Sequence, residues 1–164
     1  MVQDAMIAVR LLQAQVEVHE DRVAAMGMSQ GAGIAIWLAA WCPIVKAVCA
    51  DMPFLSDIRH TLSTQVHRYP LKELTDFMDS IPLGEPQLHN TLGYFDTANH
   101  AAFCKVPAQV SLGLKDPACR PDTVRKLFDQ IPTEKQLLVY DWGHDWHPDM
   151  VEANRKWLMQ HLNH

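Results

Sequence analysis

The residue best placed for nucleophilic chemistry is Ser29, framed by glycines in Gly27-Met28-Ser29-Gln30-Gly31. A serine hydroxyl is a weak nucleophile until a neighbouring base takes its proton, and that base works best when a third group orients it. Two downstream residues fit those roles: Asp116 in Gly113-Leu114-Lys115-Asp116-Pro117, and His144 in Gly143-His144-Asp145. In such a set His144 takes the proton of Ser29 during attack and returns it to the leaving group. Asp116 fixes the imidazole tautomer and stabilises its positive charge. Ser29 forms an acyl-enzyme, and the backbone amide of Gln30 donates one of two hydrogen bonds to the oxyanion.

Each residue also has an ordinary explanation. Gly-x-Ser-x-Gly arises by chance at strand-to-helix turns, an Asp before Pro commonly forms a turn or caps a helix, and His144 is one of nine histidines. Context separates the readings. The apolar run Val23 to Met26 leads into the motif and an Ala/Ile/Leu/Trp-rich helical segment, Ile34 to Trp41, leaves it, which is the strand, turn and helix of a nucleophile elbow. Side chains at Gly27 or Gly31 are expected to crowd that turn. Val45 to Ala50, Val106 to Gly113 and Gln136 to Tyr140 read as further strands, apolar enough for a buried parallel sheet. Ser29, Asp116 and His144 then fall just past strand ends, the edge of a parallel sheet where sites assemble. Their chain order, Ser then Asp then His, is that of the α/β-hydrolase triad.

The flanking elements complete an α/β pattern of about four strands with helices. Ala5, Val9, Leu12 and Val16 make an apolar stripe on a helix over residues 2–16. A helix over 121–131 starts near Pro121, and a last helix over about 149–162 relies on Met150, Val151, Trp157, Leu158 and Leu162. Between about 52 and 103 the periodicity is irregular. Helical pieces, Ile58 to Val66 and Leu71 to Met78, are broken at Tyr69-Pro70, Ile81-Pro82 and Glu85-Pro86. Such an excursion either shapes the pocket over the strand ends or serves as packing filler.

Composition narrows the function classes. With 164 residues, 48% of them hydrophobic and 20% charged, the chain reads as one globular domain. A net charge of -5 and no Lys/Arg cluster argue against a nucleic-acid partner. Charges at Asp4, Arg10 and Glu17 interrupt the N-terminal apolar pattern, so neither a signal peptide nor a membrane span is expected, and the cytoplasm is the default location. Cys42, Cys49, Cys104 and Cys119 are widely spaced and read as reduced, mostly buried thiols. His144 with His147, and His161 with His164, have the look of ligand pairs. No cysteine or carboxylate stands in a matching arrangement, and no metal or organic cofactor is expected.

The stretches Gly27-Met28-Ser29-Gln30-Gly31-Ala32-Gly33, Ala50-Asp51-Met52-Pro53-Phe54-Leu55-Ser56, Leu92-Gly93-Tyr94-Phe95-Asp96, Gly113-Leu114-Lys115-Asp116 and Gly143-His144-Asp145 together resemble the acetyl xylan esterase and cephalosporin C deacetylase group, the seventh carbohydrate esterase family. The resemblance runs through essentially the whole chain. It implies that Ser29, Asp116 and His144 match the family triad, that Gln30 is the elbow oxyanion donor, and that small acetylated substrates such as xylo-oligosaccharides lose their acetyl groups without a cofactor. It covers only the C-terminal half of such enzymes. The chain is therefore expected to be a single partial α/β-hydrolase domain, without the usual first strands or the loop carrying the second oxyanion donor. The elbow strand would be left as an open sheet edge, to be covered by self-association or by a complementing chain. One alternative is a catalytically weak or inactive half-domain acting as an interaction module. Another keeps the fold with a different substrate, as in a peptidase or lipase; the lack of a long apolar lid ranks short acyl groups above long chains.

Overall fold

The computed structural model describes residues 1–64, 69–80 and 85–162. Four strands, β1 (Val23–Met28), β2 (Val45–Asp51), β3 (Ala108–Gly113) and β4 (Lys135–Tyr140), form a parallel sheet in the order β1-β2-β3-β4. All four therefore point their carboxyl ends the same way. Strand sequence explains strand position. Every residue of β3 is buried, as its run Ala-Gln-Val-Ser-Leu-Gly requires of a strand covered on both faces, whereas β1 and β4 are only partly covered.

Helix α1 (Val2–Gln13) precedes β1, and α2 (Gln30–Trp41) connects β1 to β2. Ala32, Ala35, Ile36 and Ala39 of α2 are buried against the sheet. The small size of the three alanines lets the helix axis approach closely. The excursion holds α3 (Ile58–Ser63), α4 (Leu71–Ser80), α5 (Glu85–Gly93) and α6 (Thr97–Ala101). Helix α7 (Pro121–Gln130) then links β3 to β4, and α8 (Met150–Leu162) ends the described chain. The core gathers Ile36, Val48, Val110, Leu112, Val124 and Leu127 between these layers. No helix of the described residues is long and apolar enough to cross a membrane.

Several elements depart from the periodicity reading. Helix α1 stops at Gln13, and Val16, expected to extend its stripe, is 97% exposed. Pro86 does not break a helix: it stands in the first turn of α5, where its missing N–H has no intrahelical partner to lose. Residues 65, 66, 81 and 82, expected at a helix end and at a break, lie outside the described residues. In α8 Val151 is exposed, and the buried face runs through Met150, Asn154 and Trp157, spaced four and three apart. An asparagine in that stripe hides the period because its burial depends on partners in other elements.

Those partners form a buried polar cluster between α8 and the middle of the sheet. Ser111 donates its hydroxyl to one Asp51 oxygen at 2.5 Å and Asn154 donates its amide to the other at 2.6 Å. Gln109 donates to Asn154 Oδ1 at 2.6 Å. Burial pushes the Asp51 carboxyl above the usual carboxylate range, against these two donors, which favour the ionised form. Asp51 also adds its charge to the burial that pushes the neighbouring Cys49 thiol up to about 12.

Candidate active site

Ser29 sits between β1 and α2 with φ 55 and ψ -119, a conformation a side-chain-bearing residue adopts only under constraint. Three backbone bonds hold it there. Ser29 N–H donates to Asp51 O at 2.9 Å, and its own carbonyl accepts from Gly33 N–H at 3.1 Å and Phe54 N–H at 3.0 Å. Although Ser29 occupies the N-cap position of α2, its hydroxyl does not cap the helix. It is turned toward the imidazole instead.

The tight turn explains Gly27. A Cβ built there would lie 2.4 Å from the Gly31 carbonyl carbon and 2.9 Å from Ala32 N, distances that real atoms do not reach. At Gly31, by contrast, a Cβ meets nothing within 4 Å. The expectation that both glycines are needed for space is thus corrected: Gly31 supplies the backbone that Gly27 must avoid, and its own outer side is open.

Asp116 and His144 leave the ends of β3 and β4. Residue 113 is where their loops cross, since a Cβ on Gly113 would lie 2.7 Å from Trp142 O and 2.9 Å from Gly143 O. Lys115 N–H donates to Trp142 O at 2.9 Å, tying the two loops together. The Asp116 Oδ1 atom accepts the N–H groups of Ala118 and Cys119, both at 2.8 Å, which leaves Oδ2 for His144 Nδ1 at 2.7 Å. On the other side of the ring, Nε2 lies 3.0 Å from Ser29 Oγ. The structure thus brings together three side chains separated by up to 115 positions. The Asp116 side chain is fully buried and that of His144 is 24% exposed. With Nδ1 donating to the carboxylate, Nε2 is left as the acceptor for the serine proton.

Gln30 opens α2, so its amide has no carbonyl four residues back within the helix. It stands at the positive end of the helix dipole, next to the hydroxyl that would bear the acyl group.

The acetyl xylan esterase (AXE1) family profile matches residues 1–163. The chain belongs to the acetyl xylan esterase family. It is 28% identical over 120 residues to acetyl esterase Axe7A of Xylanibacter ruminicola, an alignment covering 73% of this chain and 26% of that protein. The crystal structure of acetyl xylan esterase 1 from Thermoanaerobacterium sp. JW/SL YS485 superposes with a TM-score of 0.90 at 30% identity, over 97% of this chain and 51% of that one. The acetyl xylan esterase from Paenibacillus sp. R4 gives 0.92 at 28% identity, over 98% and 52%. The chain therefore spans about half the length of these solved relatives and about a quarter of the curated one. Its fold is the α/β-hydrolase sheet with flanking helices.

Set in the acetyl xylan esterase frame, the excursion acquires a role in positioning. Asp96, buried at the start of α6, accepts the N–H groups of Asp57, Ile58 and Ala98 at 2.9, 2.7 and 2.9 Å. Thr97 donates its hydroxyl to Phe54 O at 3.0 Å. These bonds pin residues 54–58, and Phe54 N–H holds the Ser29 carbonyl. The same segment has left-handed backbone at Met52, Leu55 and Asp57. Local strain there is offset by the Asp96 staple. The packing-filler reading of the whole excursion therefore fails for its two ends.

Two further histidines find structural roles. His147 stacks on Tyr140 with ring centroids 4.3 Å apart and accepts from Asp149 N–H at 3.2 Å. His161 packs against Trp157, 4.1 Å between centroids, with its side chain 9% exposed; His164 lies outside the described residues. Cys119 is the free, buried thiol expected of it, but its place beside Asp116 and Ser29 was not read from the sequence. There burial and then the Asp116 charge push its thiol well above the ordinary thiol range, while the Ser29 hydroxyl opposes them. Its position three residues after Asp116 was the available signal.

Proposed function

We propose that this chain carries the catalytic half of a serine carboxylesterase that removes acetyl groups from small acetylated substrates, such as xylo-oligosaccharide acetates or cephalosporin-like esters. The observation that carries the reading is the unbroken hydrogen-bond chain from buried Asp116 through His144 to Ser29. In the proposed reaction His144 Nε2 takes the hydroxyl proton as Ser29 Oγ attacks the acetyl carbonyl. The tetrahedral oxyanion forms beside the Gln30 amide, and the alcohol leaves with the proton from Nε2. Water then repeats the cycle on the acetyl-serine. No metal or organic cofactor is needed for these steps. The four free, buried cysteines favour a reducing compartment such as the cytoplasm.

The partner in this reading is polypeptide along the β1 edge, equivalent to the half of the solved relatives that this chain does not span, which would also bring the second oxyanion donor. Hydrolysis of p-nitrophenyl acetate tests the assignment. Ser29→Ala should lower the rate by about 10⁴- to 10⁶-fold, and a rate unchanged by that substitution would remove it. A second reading, a half-domain kept as an interaction module, draws on the apolar groove beside β1, a cavity of about 250 Å³ lined by Val9, Leu12, Met26, Ile34 and Leu38 among others. A fluorophosphonate probe separates the two, because a folded module with an inert Ser29 stays unlabelled.

A further inference from the structure

The triad shares its space with a residue that the proposed esterase chemistry does not use. One carboxylate oxygen of Asp116, the Cys119 sulfur and a ring nitrogen of His144 all lie within 4.8 Å of one another. Carboxylate, thiolate and imidazole are the three ligand types that zinc accepts. With bonds of about 2.0 to 2.3 Å at tetrahedral angles, such ligands sit roughly 3.3 to 3.7 Å apart. Side-chain adjustments of about an ångström close that gap. His144 is the solvent-facing member, while Cys119, 2% exposed, and Asp116 lie behind it.

We propose that Asp116, Cys119 and His144 form an inhibitory site for a thiophilic divalent cation, Zn²⁺ or Cd²⁺, which silences the serine while it is bound. On binding, the Cys119 S–H bond breaks and its proton passes to solvent. The thiolate, one Asp116 oxygen and one imidazole nitrogen donate lone pairs to the ion, and water takes the fourth position. No electron is transferred. The inhibition follows whichever ring nitrogen ligates. If Nε2 binds the ion, its lone pair is no longer available to Ser29. If Nδ1 binds it, the neutral ring keeps its proton on Nε2, which then cannot accept another. In either case the ion takes the base that the serine needs.

Ion binding stands on the side-chain cluster alone, and only its inhibitory consequence rests on the esterase reading. The test is a titration of the metal-free chain with Cd²⁺, followed by the ultraviolet cadmium–thiolate charge-transfer band, beside Zn²⁺ inhibition of p-nitrophenyl acetate hydrolysis. One Cd²⁺ per chain should produce the band, and Zn²⁺ should displace it. The band belongs to the cadmium–thiolate bond, so Cys119→Ser and Cys119→Ala should abolish it, and loss of even an outer-shell partner costs about 10- to 100-fold in metal affinity. His144→Ala, on a partly exposed side chain, should weaken Cd²⁺ binding by at least about 100-fold and serves as the readout if the cysteine variants misfold. Each Cys119 variant should retain its own metal-free rate at Zn²⁺ concentrations that silence the wild type, and a chelator should restore the wild type. No band in the wild type, a band that survives in Cys119→Ser, or one indifferent to His144→Ala overturns the site. A normal band in a chain without Ser29-dependent activity would overturn the esterase reading and leave the metal site standing.

Discussion

The two strands that lead to Ser29 and Asp116 lie in opposite environments. Strand β3, whose following loop carries Asp116, has β2 on one side and β4 on the other and is buried along its whole length. Strand β1, which ends just before Ser29, is one edge of the sheet, with Met26 56% exposed and the apolar groove alongside. Yet Ser29 is held by three backbone hydrogen bonds. Its restraints come from the inner side, from the Asp51 carbonyl and the Phe54 amide, and from the α2 turn at Gly33. Site geometry here is thus set by bonds across the strand ends and does not depend on how well the strand below is covered.

That contrast can be broken at the acid first. Asp116→Asn keeps the size of the side chain but presents a donor to His144 Nδ1, so the ring turns to the wrong tautomer and turnover should fall by about 10⁴-fold. Rates within tenfold of wild type would show that the buried strand's contribution is dispensable. Gly113→Ala asks whether loop position matters as much as the acid. Its Cβ must displace the Trp142 and Gly143 carbonyls, and moving His144 by about 1 Å should cost roughly 100-fold in kcat with the fold retained. An unchanged kcat would mean that the His144 loop is set from elsewhere.

The strands themselves are compared by denaturant unfolding. Val110→Ala, in the centre of β3, should cost about 2 kcal/mol, from the lost methyls and the space they leave. Met26→Ala on the exposed edge should change stability by less than about 0.5 kcal/mol. A Met26 effect equal to that of Val110 would mean that β1 is covered in solution by other polypeptide. That result would place the complementing partner on the groove.

The parts legible in the sequence are those where one residue's type decides its place. Val23 to Met26, Val45 to Ala50 and Gln136 to Tyr140 announce strands by apolar runs, and Gly27 announces the turn by having no side chain. Ser29, Asp116 and His144 could be grouped because a parallel sheet collects its strand ends. Asn154 and Cys119 could not be read in the same way. Burial of Asn154 is stabilised by Asp51 and Gln109, more than forty positions away, and nothing local marks an asparagine as a core residue. Cys119 reads as an ordinary buried thiol until the loop after Asp116 folds back on the triad. The staple at Asp96 was equally hidden, since the amides of Asp57 and Ile58 that it accepts lie in a different part of the excursion.

Asp51 joins the two environments, and its titration offers the finest test of the contrast. Its carbonyl holds Ser29 on the edge strand, while its carboxyl accepts from Ser111 on the buried strand and from Asn154 on α8. Burial raises the carboxyl's pKa in the folded chain above the unfolded value. The folded state therefore binds the proton more tightly than the unfolded one. Stability from this group is fully present below the unfolded value of about 3.9 and is lost as pH rises toward the folded pKa, with a slope of at most about 1.4 kcal/mol per pH unit. In Asp51→Asn the Ser111 hydroxyl can rotate to donate or accept, so the cluster keeps most of its bonds while the titration disappears. Unfolding free energies of wild type and Asp51→Asn, measured as pH rises from 4, should diverge in favour of the variant and then run parallel above the folded pKa. A constant difference across that range would mean that Asp51 is ionised throughout, with Ser111 and Asn154 fully offsetting its burial.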